Sequence, residues 1–320
     1  MTDAPLIAVE SAPIPPGGKA EWFNGAGGAR LRAALFTPAG AARGSVLLSP
    51  GRTEVIEKYF EVVGELLERG FVVLVHDWRG QGLSDRHLPD RLKGHAHGYD
   101  DFLADFDALL AAFEDRMPKP WLALAHSMGG CLTLLALATG RAPRFAGCVL
   151  SAPMLAVRTG KTKPSTARLR ARFHTLIGQG GVYIQNDPGK PFDDTFEGNP
   201  LTHDRRRFAR QHAQLKACPD LALGAPTWGW LDFALEATAE LARPGALSGV
   251  NLPVVVCSAA EDKLVNNQGQ KAVADGLPQG RFVVIPGSEH EILMETDDIR
   301  ARFWTEFDAL ADKQAPKSAD

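Results

Sequence analysis

Three residue types that together support acyl-transfer chemistry follow three separate apolar segments of the chain. Ser127 ends the segment WLALAHS and is followed by two glycines. Asp262 comes just after PVVVCSA, in AEDKLV, and His290 comes just after RFVVIPG, in GSEHEIL. A serine hydroxyl is a weak nucleophile that needs a base within reach, and the base needs a third group to orient it. The pattern predicts Ser127 as the nucleophile, His290 as the base and Asp262 as the orienting acid.

The residues around Ser127 resemble a G-x-S-x-G turn, in which a strand passes sharply into a helix. Such a turn lifts the serine side chain clear of the sheet and tolerates only small neighbours. Gly129 fits this pattern, whereas Ala125 replaces the first glycine and adds one methyl group. A serine at this position could also simply cap a helix. In folds that use this turn, the acid and then the histidine follow the serine along the chain. The same order here favours the catalytic interpretation.

Two of these assignments have neighbouring alternatives. Glu261 directly precedes Asp262 and could be the orienting acid instead. The sequence has 9 histidines, but only His290 follows a late strand in a short polar loop. His126 is adjacent to the nucleophile, and its side chain is expected to point away from Ser127 because it lies at the end of a strand.

Two backbone N–H groups are candidates for stabilising an oxyanion. Met128 would begin the helix that follows the nucleophile, and helix N-termini present N–H groups to negative charge. The second donor is expected in the loop after the first parallel strand. That loop is SPGRTE, in which the N–H of Arg52 is the candidate and Thr53 is a possible helix N-cap. No catalytic role is predicted for the arginine side chain.

Strands and helices that alternate along the chain are needed to position these residues. The sequence predicts an edge hairpin over 20–38 and further strands over 44–50, 71–77, 121–127, 145–153, 253–259 and 281–287, with helices between them. Uniformly apolar strands of this kind indicate an α/β fold with a mostly parallel sheet covered on both faces. We therefore expect one domain over 20–314, a poorly ordered leader over 1–19 and a tail over 315–320. The alternation stops over about 155–245, which predicts a helical lid or cap.

Composition excludes several other classes of protein. The net charge of −3 gives no basic surface for a nucleic acid. No apolar run approaches the roughly 20 residues that a membrane span needs. The N-terminal residues do not resemble a secretory signal, and the 4 cysteines lack metal-site spacing. These features predict a soluble cytoplasmic protein that contains free thiols and requires neither metal nor organic cofactor.

With these motifs assembled, the chain resembles the bacterial lysophospholipase and monoacylglycerol lipase branch of the α/β-hydrolases. The resemblance rests on SPGRTEVIEKY, DWRGQGLSDR, AHSMGG, AEDKLV and GSEHEIL, and on NPLTHDRRRF and GAPTWGW within the insertion. Monoacylglycerol lipases usually have His-Gly-x-Gly where this chain has Pro50-Gly51-Arg52-Thr53, which favours the lysophospholipase side. The resemblance also favours Asp262 over Glu261.

The resemblance implies a serine hydrolase that releases a fatty acid from a lysophospholipid or monoacylglycerol. Trp228, Trp230, Phe233 and Phe173 are candidates for contacting the acyl chain, or could simply pack the lid. An apolar face near Phe173 with arginines around it could contact a membrane surface or pack on the domain. A small-ester hydrolase, a peptidase, an acyltransferase and a non-catalytic receptor remain alternatives, and the sequence does not indicate an oligomeric state.

Overall fold

The computed structural model describes residues 1–142 and 144–317. Its strands are β1 (Thr2–Asp3), β2 (Gly18–Asn24), β3 (Arg30–Phe36), β4 (Gly44–Ser49), β5 (Phe71–His76), β6 (Trp121–His126), β7 (Phe145–Ser151), β8 (Val254–Ala259) and β9 (Gly280–Ile285). Its α-helices are α1 (Phe60–Glu68), α2 (Asp100–Phe113), α3 (Ser127–Ala138), α4 (Pro164–Leu176), α5 (Arg205–Ala217), α6 (Trp228–Leu241), α7 (Asn267–Asp275) and α8 (Asp297–Gln314).

The strands form a single nine-stranded sheet in the order β1-β2-β3-β5-β4-β6-β7-β8-β9. Strands β1, β2 and β3 are antiparallel to their neighbours, and the strands from β5 to β9 in this order are parallel. Parallel strands place their carboxyl ends at one edge of a sheet, where ligands bind in open α/β folds. The predicted α/β-hydrolase architecture, with its edge hairpin, is confirmed.

Two layers of apolar side chains cover the two faces of the sheet. One layer packs the sheet against α2, α3, α6 and α7, and includes Trp78, Phe106 and Leu132. The other packs it against α1 and α8, and includes Phe71 and Phe303. Strands β4 to β8 are therefore buried on both faces, which explains their continuously apolar sequences.

The predicted insertion, residues 155–245, contains α4, α5 and α6 and contributes no strand to the sheet. Its last helix, α6, is part of the core layer beside α3. A bridge from Val157 to Val265 joins the start of the insertion to the loop after β8. The insertion is thus attached to the domain both by its core helix and at the edge of the sheet that carries the site.

The N-terminal residues differ from the expected poorly ordered leader. Thr2–Asp3 pairs with β2, and Ala12 is buried in the second core layer. The carbonyl oxygen of Pro5 accepts a hydrogen bond from Arg32, and the N–H of Ile7 donates one to Glu57. The prolines and glycines therefore belong to a segment that is held by backbone contacts. Of the predicted tail, residues 318–320 lie outside the described residues, and Ala315 is buried against α8.

A fully buried ion-pair cluster connects this segment with the sheet. The Arg32 guanidinium lies 2.7 Å from Glu57 Oε1 and 2.7 Å from Asp77 Oδ2, and all three side chains are inaccessible to solvent. The second Asp77 oxygen accepts a hydrogen bond from the N–H of Ile56, where the chain enters the turn before α1. Asp77 also accepts a hydrogen bond from the N–H of Leu83, so it braces the loop after β5.

We expect Arg32→Leu to lower the free energy of unfolding by about 3–5 kcal/mol, because two buried carboxylates would lose their cation. Urea denaturation measures this change. The control is Lys271→Leu, which removes an exposed pair with Asp275 and should cost less than about 1 kcal/mol. Equal losses in the two variants would contradict a structural role for the buried cluster.

Candidate active site

The chain changes direction sharply at Ser127, between β6 and α3. Ser127 has a φ of 49°, in the left-handed region that residues with a side chain rarely adopt. A Cβ on Gly129 would lie 2.3 Å from the carbonyl oxygen of Ser49 and 2.4 Å from that of Pro50. A glycine is therefore required there, because the first turn of α3 packs directly on the loop after β4. Ala125 is fully buried, and its one additional methyl group is accommodated.

Ser127, His290 and Asp262 form a continuous hydrogen-bonded chain. The distance from Ser127 Oγ to His290 Nε2 is 2.9 Å, and that from His290 Nδ1 to Asp262 Oδ2 is 2.7 Å. All three residues are buried. With the Nδ1 proton donated to Asp262, the Nε2 lone pair is left to accept the Ser127 hydroxyl proton.

The loop after β8 distinguishes Asp262 from Glu261. The second Asp262 oxygen accepts hydrogen bonds from the N–H groups of Leu264 and Val265, whereas Glu261 is exposed. Burial alone would raise the pKa of the Asp262 carboxyl, but its hydrogen bond to His290 and the backbone N–H groups lower it below its usual value. Asp262 is therefore ionised at neutral pH, as an orienting acid must be.

Two backbone N–H groups remain available beside Ser127: that of Arg52, in the loop after β4, and that of Met128, at the start of α3. In the described part of the chain neither donates a hydrogen bond, whereas the groups flanking Arg52 are all occupied. Gln81 accepts from the N–H of Thr53 (2.8 Å) and donates to the carbonyl oxygen of Gly51 (2.9 Å). These bonds hold the Arg52 peptide from both sides. Thr53 itself has a φ of 63°, so it is not a regular helix N-cap.

A buried group of charges supports the same loop and was not predicted from the sequence. Glu54 accepts hydrogen bonds from the N–H of Gly51 and the hydroxyl of Tyr59, and lies 2.9 Å from Lys58. Lys58 also contacts Glu291, beside His290, at 2.5 Å. Burial opposes ionisation of Glu54, yet chiefly Lys58 lowers the pKa of this carboxyl to about 2. The spacing of Glu54 and Lys58, four residues apart, was the available sequence signal.

His126 lies closer to the site than expected. Its Nδ1 bonds the carbonyl oxygen of Ser151 at 3.0 Å, but its ring is 4.9 Å from that of His290, centre to centre. Burial lowers the pKa of His126 to about 4, so the ring is neutral near pH 7. Because His126 is neutral, it places no positive charge beside His290 when the His290 ring is protonated.

Ser127 and His290 face a cavity of about 350 Å³ under the insertion. Its apolar lining includes Met154, Ile184, Trp230, Leu231 and Leu264. A second cavity of about 410 Å³ shares Arg158, Ile184 and Leu231 with the first and is more polar. The two cavities therefore adjoin, and Arg158 lies where they meet.

The structure separates the four predicted substrate contacts. Trp230 lines the first cavity, and Trp228 lines the second, stacked on His174. The prediction for Phe233 is wrong: this residue is 1% exposed and packs on Phe102, because that side of α6 faces the core. The prediction for Phe173 is also wrong, because its side chain is 57% exposed on the outer face of α4 and lines neither cavity.

The described residues contain no cluster of three or more histidine, cysteine or acidic side chains able to hold a metal ion. The four cysteines are free thiols, as the sequence predicts. Across the same residues, no helix has both the length and the apolar character to span a membrane.

Comparison with known proteins identifies the family. The sequence profile of the family described as "Serine aminopeptidase, S33" (Hydrolase_4) matches residues 40–297, which is most of the chain. The chain belongs to this family. The matched residues include the whole hydrogen-bonded chain at Ser127, from the loop after β4 to the turn after β9.

Relatives of this S33-family member include two kinds of lipid hydrolase. It is 32% identical to lysophospholipase L2 of Escherichia coli (strain K12) over 274 residues, 80% of this chain and 76% of that protein. It is 25% identical to the monoacylglycerol lipase of Mycolicibacterium smegmatis over 278 residues, 86% and 91% of the two chains. The predicted family resemblance and the enzyme class, a carboxylic-ester hydrolase, are confirmed.

A solved structure supports the same fold. A soluble variant of the monoglyceride lipase from Saccharomyces cerevisiae superimposes with a TM-score of 0.72 at 20% identity. The match covers 92% of this chain and 96% of that one.

We expect Gln81→Met to lower kcat for ester hydrolysis about 10–100-fold with little change in KM, because the Arg52 N–H would lose its alignment with the transition-state oxyanion. Steady-state kinetics on a soluble ester measures both constants. The exposed Gln268→Met, which makes the same change outside the site, is the control. A change confined to KM would contradict a positioning role.

Proposed function

We propose that this protein hydrolyses the acyl ester of a lysophospholipid or a monoacylglycerol through an acyl-enzyme on Ser127. The observation that carries the proposal is the bonded chain Ser127–His290–Asp262, which opens onto an apolar cavity beside two unoccupied N–H groups. These are the components of serine-based acyl transfer: a nucleophile, an oriented base and an oxyanion site.

In the first half-reaction, His290 Nε2 accepts the hydroxyl proton as Ser127 Oγ attacks the ester carbonyl. The N–H groups of Arg52 and Met128 stabilise the oxyanion, a contribution of about 3 kcal/mol per donor at comparable sites. The ester bond then breaks, and His290 passes its proton to the leaving glycerol oxygen. Asp262 stabilises the charged imidazole throughout.

In the second half-reaction, a water molecule takes the place of the alcohol. His290 accepts a proton from the water, whose oxygen attacks the acyl carbon. The tetrahedral intermediate collapses as the proton returns to Ser127 Oγ, releasing the fatty acid and restoring the enzyme. No step needs a metal or an organic cofactor.

The lining of the cavity favours an acyl chain over a peptide. A peptide N-terminus is a cation and would need a carboxylate to bind it. Among the described residues that line the first cavity, the one acidic side chain is Glu291, which is already paired with Lys58. The names of the two lipid-hydrolase relatives agree with this choice of substrate.

We expect wild-type protein to release fatty acid from lysophosphatidylglycerol, lysophosphatidylcholine or monoacylglycerol, and Ser127→Ala to abolish release by at least about 10³-fold, because no other hydroxyl is bonded to His290. A fluorophosphonate probe should label the wild type and not Ser127→Ala. Ser151→Ala, which removes another buried serine at the end of β7, is the control. Turnover of a short soluble ester alone would replace this proposal with a small-ester hydrolase.

We further propose that the outer face of α4 forms a transient contact with a lipid surface, with residues 155–245 acting as the lid. Leu169, Phe173 and Leu176 lie on one side of the helix and are 71%, 57% and 71% exposed. The exposed residues Arg168 and Arg170 flank this apolar side. Apolar side chains with cations beside them are typical of helices that lie in the interface of an anionic bilayer.

We expect the triple substitution Leu169→Gln, Phe173→Gln and Leu176→Gln to reduce binding to phosphatidylglycerol vesicles about tenfold or more, because the apolar surface that enters the bilayer is lost. Co-sedimentation with vesicles measures the binding. The control is Val284→Gln, which removes a side chain of similar exposure from β9, outside the insertion. Unchanged vesicle binding of the triple variant would contradict a role for α4.

A further inference from the structure

Three arginines line the two adjoining cavities. Arg52 lines the first cavity, Arg158 lines both, and Arg170 lines the second. Within residues 1–142 and 144–317, none of the three forms an ion pair with an acidic side chain. The core arginines Arg32 and Arg207 are each paired with two or more carboxylates. Of the cavity arginines, Arg52 is partly buried, and Arg158 and Arg170 are exposed. The cavities therefore have an excess of positive charge that the protein itself does not neutralise.

The Arg52 side chain is held in place without a countercharge. Its Nη2 donates to the carbonyl oxygen of Gly224 at 2.5 Å, and its guanidinium lies 5.2 Å from the centre of the Trp230 ring. A Cβ at Gly94 would lie 2.4 Å from Nη2, so the guanidinium packs closely on that backbone. Its Nε is buried and has no hydrogen-bond partner among the described residues. Burial lowers the pKa of Arg52 to about 10, which leaves it charged at neutral pH.

Arg158 is similarly anchored at one end. Its Nε donates to the carbonyl oxygen of Val265 at 2.8 Å, in the loop that also binds Asp262. This bond holds the arginine where the apolar cavity at Ser127 meets the more polar one. Beyond it, the second cavity contains Arg170 and the polar side chains of Thr159 and Gln185. From the first cavity to the second, the lining therefore changes from mainly apolar to more polar and cationic.

We propose that Arg158 and Arg52 form a subsite for the phosphate of the substrate's head group. The burial cost of an unpaired cation applies to Arg52, whose Nε is buried without a partner among the described residues, whereas Arg158 is exposed at the second cavity. Arginine binds phosphate oxygens through paired charge-assisted hydrogen bonds. The acyl chain would occupy the apolar part of the first cavity, and the glycerol would place the phosphate towards Arg158. This inference rests on the proposed ester hydrolysis at Ser127 and assigns the residues that distinguish a lysophospholipid from a monoacylglycerol.

The same charges predict which head groups are preferred. The described residues that line the second cavity include no aspartate or glutamate, and the acidic residue of the first cavity, Glu291, is paired with Lys58. A choline or ethanolamine cation would therefore meet arginines and no carboxylate. A glycerol head group carries no cation, so lysophosphatidylglycerol should be a better substrate than lysophosphatidylcholine.

The test compares kcat/KM for lysophosphatidylglycerol, lysophosphatidylcholine and monoacylglycerol of one acyl length, each below its critical micelle concentration so that surface binding does not contribute. We expect the ratio of lysophosphatidylglycerol to monoacylglycerol to fall about tenfold or more in Arg158→Gln. In Arg158→Lys, which retains the charge but not the paired donors of the guanidinium, the ratio should fall less. The control is Arg206→Gln, which removes an equal charge from an exposed position on α5 that lines neither cavity, and should leave the ratio unchanged.

Ratios that are equal in Arg158→Gln and Arg206→Gln would overturn the subsite, and equal turnover of the two lysophospholipids would overturn the head-group preference. Equilibrium binding of lysophosphatidylglycerol to Ser127→Ala separates this inference from the proposed reaction. If wild type releases no fatty acid, tenfold weaker binding on adding Arg158→Gln would still support the subsite. Binding that is insensitive to Arg158→Gln would reject it.

Discussion

The positive φ of Ser127 is the constraint on which the rest of the site depends. A residue in the left-handed region costs about 1–3 kcal/mol, and it persists only where the surroundings determine it. Here β6 lies between β4 and β7, and Gly129 packs on the carbonyl groups of Ser49 and Pro50. The turn that directs the serine into the cavity therefore also brings the loop after β4 against the start of α3. This packing contact fixes the predicted nucleophile relative to both candidate oxyanion donors, and Gln81 and Glu54 hold the Arg52 loop in addition.

The sequence predicted the parts of the site that follow directly from sheet topology. Ser127, Asp262 and His290 each come after an apolar strand, and parallel strands place their ends at one edge, so their meeting was predictable. Gln81 and Arg158 act through contacts with residues distant in sequence, which no local pattern reveals. Glu54 contacts Gly51, Lys58 and Tyr59, which are near it in sequence, but its burial with them is not visible in the sequence. Periodicity also left open which side of α6 faces the cavity. Trp230 and Phe233 are three residues apart on α6. The packing of α6 on α2 places Phe233 in the core and leaves Trp230 at the cavity.

The N-terminal residues show a similar limit of composition. Their prolines and glycines suggested a poorly ordered leader, but the hydrogen bonds they form involve mainly backbone groups, which any sequence supplies. Arg32, which donates to the carbonyl oxygen of Pro5, and Glu57, which accepts from the N–H of Ile7, belong to a buried cluster that composition alone does not identify. The proline and glycine content therefore gave the wrong expectation, because contacts with residues distant in sequence hold this segment in place.

Charge distribution links the site with the surface of the insertion. In the core, buried charges are paired with charges of opposite sign, as in Arg32 with Glu57 and Asp77. Around the cavities, Arg52, Arg158 and Arg170 have no acidic partner within residues 1–142 and 144–317, and Arg170 lies on α4, the helix whose apolar side faces solvent. Arg170 therefore belongs both to the lining of the second cavity and to the helix proposed to contact lipid, so the two proposals concern adjoining parts of the insertion.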